Sequence, residues 1–123
     1  MSSNPTTLET GQHAEQLACE YLTRQGLKLI KQNFRCQRGE IDLIMKHNKN
    51  IIFTEVRYRK NTSFGTGAET VTYKKQAKLI MAAQFFFQKH PEFSYSPSRF
   101  DVVSISQVNG QFHIDWIKDA FQC

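Results

Sequence analysis

Apolar residues recur along this chain with two different periods, and each change of period marks an element. Ala14, Leu17, Ala18, Tyr21 and Leu22 fall three or four apart, which is the spacing of one helical face. Thr6 with Glu9 three positions later has the form of a capping box, and Gly26 ends the helix. The segment LKLIKQNFRCQRG reads as a first strand with a basic outer edge, turning near Arg38 and Gly39. GEIDLIMKHNKNIIFTEVRYRK supplies two more strands as a hairpin. A second helix is predicted from about Thr72 to Lys89, with Leu79, Ile80, Ala83, Phe86 and Phe87 on its apolar face and His90–Pro91 ending it. RFDVVSIS and QFHIDWI then flank Asn109 and Gly110, a strong hairpin-turn signal. The order predicts an α/β fold, an α-β-β-β-α-β-β sandwich with a central mixed sheet. Residues 1–6 read as a flexible tail and 7–121 as a single domain.

Composition agrees with one globular domain. The chain has 123 residues, of which 40% are apolar, and its ten Phe, four Tyr and one Trp argue against disorder. Three widely spaced cysteines, Cys19, Cys36 and Cys123, give neither a disulfide framework nor a zinc motif. The longest apolar run, LIMAAQFFF, is too short to span a bilayer and no signal peptide opens the chain, so a cytoplasmic protein without a membrane partner is expected. The net charge of +5 is unevenly placed: Arg24 to Lys60 holds ten Lys or Arg against three acids, and the remainder six against eight. A local basic field of this kind attracts polyanions, nucleic acid first, although a solvated basic surface kept for solubility has the same composition.

The three acids within that basic segment are Glu40, Asp42 and Glu55. If the hairpin loop centres on Asn48 and Lys49, Asp42 faces Glu55, Glu40 faces Arg57 and Ile44 faces Phe53, while the opposite face carries Ile41, Leu43, Met45, Ile52, Thr54 and Val56. One face is then apolar and the other chemical. Opposed strand residues have Cβ atoms about 4.5–5.5 Å apart, and like charges there are destabilising. Three compensations are open: a hard divalent cation held by carboxylate oxygens, a raised pKa on one acid, or neutralisation by Arg57 and Arg59.

GEIDLI followed by TEVR resembles the PD-(D/E)XK nuclease signature, in which an Asp and an acid-x-Lys element occupy adjacent strands. GQHAEQLACEYL, NFRCQRGEIDLI, FTEVRYRK, FGTGAETVTYKKQAKL, RFDVV and the closing AF together resemble the YraN-like family of uncharacterised bacterial proteins, over residues 11 to 121. That family resembles restriction-endonuclease-like proteins and, among them, Holliday junction resolvases. The resemblance implies a restriction-endonuclease-like fold, metal-dependent cleavage with Asp42 and Glu55 as ligands of one or two Mg²⁺ or Mn²⁺ ions, and a role for Glu15, which matches an acid on the resolvases' first helix. Resolvase-like relatives also suggest a homodimer.

Arg57 departs from the signature, which has Lys there. A guanidinium stays protonated and grips phosphate or carboxylate in a planar, bidentate fashion, so Arg57 can stabilise charge on a phosphate but cannot serve as a general base. Lys74 and Lys75 are the better replacements, because they open the second helix against its macrodipole, a placement that a bound phosphate would explain. Arg38, Arg59 and Lys60 are the other expected contacts to nucleic acid. Phe64, in a loop marked by Gly65 and Gly67, is the aromatic expected to meet an unpaired base. Asp101 reads as a strand-end group bonded to Arg99 or to a backbone donor. Two functions follow: a Mg²⁺-dependent nuclease for branched or otherwise structured DNA rather than RNA, or a nucleic-acid-binding module on a nuclease fold that does not cut.

Overall fold

The computed structural model describes residues 7–59 and 71–122, with side chains from Gly11 onward. Helix α1 (Thr7–Arg24) is followed by β1 (Lys28–Cys36), β2 (Gly39–His47) and β3 (Asn50–Arg59), then α2 (Tyr73–Lys89), a 3₁₀ turn at Pro91–Phe93, β4 (Ser98–Val108) and β5 (Gln111–Phe121). This is the expected α-β-β-β-α-β-β arrangement. Thr72 caps α2, its hydroxyl accepting from the Lys75 amide at 3.1 Å. Gly26 takes φ +97° beyond α1, and Asn109 and Gly110 take φ +51° and +76° at the β4–β5 turn, as a tight hairpin requires. Thr6 of the expected capping box, and the glycine loop with Lys60 and Phe64, lie outside the described residues.

The five strands lie in sequence order, β1-β2-β3-β4-β5, antiparallel except for β3 and β4, which run parallel. A parallel neighbour needs a crossover, and α2 lies within that connection. It packs on one face of the sheet, while α1 covers the other. Leu79, Ala82, Ala83 and Phe86 of α2 are buried with Ile44, Phe53, Phe100 and Val102. Ala14, Ala18 and Leu22 of α1 are buried with Leu43, Met45, Ile52 and Val103. Ala82, rather than Ile80, thus joins Leu79, Ala83 and Phe86 at the centre of the α2 face. The expectation of one apolar and one chemical face on the hairpin is corrected: both faces are apolar, because β3 is an interior strand with a helix on either side. The chemistry sits instead in a cleft between β2, the second half of β3, the Gly11–Glu15 stretch of α1 and the first turn of α2.

The hairpin register is the expected one over its closed part, pairing Leu43 with Thr54, Ile44 with Phe53 and Met45 with Ile52. The ladder stops there. Beyond it the Val56 amide donates to Asp42 Oδ2 at 2.8 Å, so an acid side chain takes a donor that regular pairing would give to a carbonyl. Glu40 consequently does not sit in a ladder opposite Arg57; it pairs with Arg35 across β1 and β2, at 3.1 Å. Ile41 and Ile44 pack in the same core although they are three residues apart, so strict alternation breaks at Asp42. Across from that break lies Asn33, in the left-handed region at φ +55°.

Candidate functional site

Four elements bring charged side chains to one cleft of about 350 Å³: Glu15 from α1, Asp42 from β2, Glu55, Arg57 and Arg59 from β3, and Lys75 from α2. Asp42 is 9% exposed and Glu55 5%. Lys75 Nζ reaches Glu55 Oε1 at 2.9 Å. This contact accounts for a cation in the first turn of α2: the local repulsion from the helix dipole is offset by a buried carboxylate one layer below.

The two hairpin acids remain in conflict. Burial pushes the Asp42 carboxyl up from 3.8 to about 7, and the charges of Glu55 and Glu15 push the same way, while the Val56 amide and Lys75 oppose them. Glu15 is also raised, first by burial and then by Glu40 and Glu55, against a hydrogen bond from Asn33 and the charge of Arg35. Of the three compensations open in the sequence, two are therefore present together: a raised pKa on Asp42, and a neutralising cation on Glu55. That cation is Lys75, from α2.

Among the described residues, no three or more His, Cys, Asp or Glu side chains are grouped to hold a metal ion, so Glu15 does not complete a carboxylate triad. Asp42 and Glu55 fit a hard cation as a pair. Both supply oxygen only, both are buried beside an open cleft, and the repulsion of Asp42 by Glu55 is one that a cation shared between them would relieve. Such an ion would keep most of its coordination positions for water or phosphate.

Lys74 and Lys75 line an adjoining cleft of about 360 Å³ with Lys78, Glu40 and Gly39. A Cβ on Gly39 would lie 2.9 Å from the Lys78 carbonyl oxygen, so only glycine lets β2 approach α2 so closely. Arg38 is exposed in the turn immediately before it. Asp101, in contrast, is a structural group. It is 1% exposed and accepts from Arg99 Nε at 2.9 Å, Trp116 Nε1 at 2.8 Å and the Asp119 amide at 2.9 Å. A cleft of about 500 Å³ at the opposite end of the sheet includes Arg99, whose guanidinium is already committed to Asp101.

Two site features were missed in the sequence: the Lys75–Glu55 contact and the Asn33 bond to Glu15. The second had a faint signal, since asparagine is the residue type that most readily adopts a left-handed turn inside a strand.

Fold and cleft together define a mixed α/β domain with a buried carboxylate pair beside a helix-borne lysine. The chain belongs to the uncharacterised protein family UPF0102, whose model matches residues 14–105, and this is the YraN-like family to which the motifs pointed. It is 45% identical to a UPF0102 protein of Nitrosococcus oceani, over 95% of this chain and 94% of that relative. Similar UPF0102 proteins occur in Pseudomonas fluorescens, at 45% identity over 93% of each chain, and in Stutzerimonas stutzeri, at 42% over 92% of this chain and 94% of the relative.

No helix among the described residues is long and apolar enough to cross a membrane.

Proposed function

We propose that this chain is a metal-dependent nuclease that hydrolyses phosphodiester bonds in structured DNA, in preference to RNA, in the cytoplasm. The observation that carries this reading is the convergence of Asp42, Glu55 and Lys75, from three separate elements, on one cleft. Lys75 supplies there the compact ammonium that the nuclease signature has at the position of Arg57. A bound Mg²⁺ or Mn²⁺ would lower the pKa of an attacking water and neutralise charge on the scissile phosphate. Asp42 and Glu55 hold the ion, Lys75 and Arg57 face the phosphate, and Glu15 adjusts the field at the cleft wall. The test is incubation of the purified protein with branched, single-stranded and duplex DNA and RNA, with Mg²⁺ or Mn²⁺, beside an Asp42→Asn control. Metal-dependent cleavage lost in the variant is expected; cleavage by both proteins or by neither overturns the reading.

One observation favours the non-cutting alternative. The Lys75 ammonium already neutralises Glu55 at 2.9 Å, so the pair is tolerable without a metal. Binding to nucleic acid that falls steeply with salt, with no turnover under any metal, selects that module.

A further inference from the structure

The cleft of the acid pair adjoins two others. It shares Lys75 with the lysine-lined cleft and Glu15 with a third cleft, of about 540 Å³. The third cleft is lined by Gln12, Glu15, Gln16, Gln32 and Asn33, with no Lys or Arg among the described residues of its wall. Arg35, whose charge Glu15 feels, is tied to Glu40. The two arms thus differ in chemistry. The lysine arm suits phosphate, whereas the amide arm carries only an acid and would repel a phosphate backbone.

Side-chain amides present a donor and an acceptor together, the pattern that pairs with the edges of nucleobases. Those edges are available when the base is unpaired. A paired duplex across these clefts would bring phosphates against Glu15 and leave the amides without partners. Tyr73, the residue before Lys74 in α2, is 88% exposed, an aromatic face on which an unpaired base can stack.

Resting on the nuclease reading above, we infer that the strand crossing the acid pair is single-stranded, as at a flap or an unpaired end. The nucleotides over the lysine arm set their phosphates on Lys74, Lys75 and Lys78, while those over the amide arm turn their bases to Gln12, Gln16 and Gln32 and their phosphates out to solvent, which a paired backbone is not free to do. A fully paired substrate is the poorer fit.

The test is fluorescence anisotropy in EDTA at low salt, with single-stranded and duplex DNA of equal phosphate number. Wild-type protein is expected to favour the single strand by about tenfold, the size of one well-made base contact. Replacing Gln12, Gln16 and Gln32 together with alanine removes that preference and leaves duplex affinity unchanged. Asn33 is spared because its positive φ strains other residues. Lys78→Ala weakens both forms alike. Equal affinity for the two forms, no binding to either, or a loss in the triple variant that spares the preference overturns the inference. Because no metal is present, this outcome is independent of whether the protein cuts: cleavage of duplex without single-strand preference would leave the nuclease reading standing and remove only this one.

Discussion

Asp42 is ionised near pH 3.8 in an unfolded chain and near 7 in the fold. Between those values the folded state holds a proton that the unfolded state has released, so this group lowers stability progressively as pH rises from about 4 to about 7. An Asn at the position can still accept from the Val56 amide but has no charge to bury. Asp42→Asn is therefore expected to match the wild type near pH 4 and to exceed it by up to about 4 kcal/mol at pH 8, since the rise from 3.8 to about 7 spans about three pKa units of about 1.4 kcal/mol each. Denaturation curves of both proteins across this range check the sign. Lys75→Met tests the opposing field. It leaves Glu55 buried without its cation, at a cost of about 1–2 kcal/mol, kept below that of a fully buried pair because Lys75 is 43% exposed. It also moves the Asp42 titration, followed by carboxyl NMR shifts, to higher pH. The identity of the acids was legible in the sequence because a carboxylate within an apolar strand is conspicuous. Which cation meets them was not, because that depends on where α2 begins relative to β3, a tertiary relation with no local signature.

Helices and strands were read from periodicity, and α1, α2 and the closed part of the β2–β3 hairpin stand where the pattern put them. The pattern failed at Asp42 and Asn33. There, alternation breaks because one side-chain hydrogen bond replaces a ladder bond, which period-2 counting cannot anticipate. The two-sided burial of β3 was also missed: a near-continuous apolar run such as NIIFTEV fits an interior strand, but Glu55 within it, facing Asp42, suggested an amphipathic one. Asp101 shows how β4 and β5 are held. Its carboxylate joins Arg99, the Trp116 indole and the backbone at Asp119, the residue at φ +52° near the end of β5. Asp101→Ala leaves those donors facing a void and is expected to cost about 3–5 kcal/mol, measured by urea denaturation. Because the cleft is formed by other residues, the variant should retain any cleavage activity at temperatures where it is folded.

The chemistry gathers where side chains of α1 and of the first turn of α2 meet β2 and the second half of β3. Glu15, Asp42, Glu55 and Lys75 come from four elements and meet there, so the cleft exists only in the folded chain. The cleft's three acids are matched in number by Arg57, Arg59 and Lys75, and Lys74 and Lys78 of the adjoining cleft add positive charge beside them, a field that attracts polyanions. That the acid pair is a cation site is the claim on which the rest depends. The most direct measurement is a crystal grown with Mn²⁺ and read by anomalous scattering. A single strong peak between the Asp42 and Glu55 carboxylates, lost in Asp42→Asn, is the predicted result. Crystals soaked to high Mn²⁺ with no peak at the pair, and Lys75 still seated on Glu55, would contradict it.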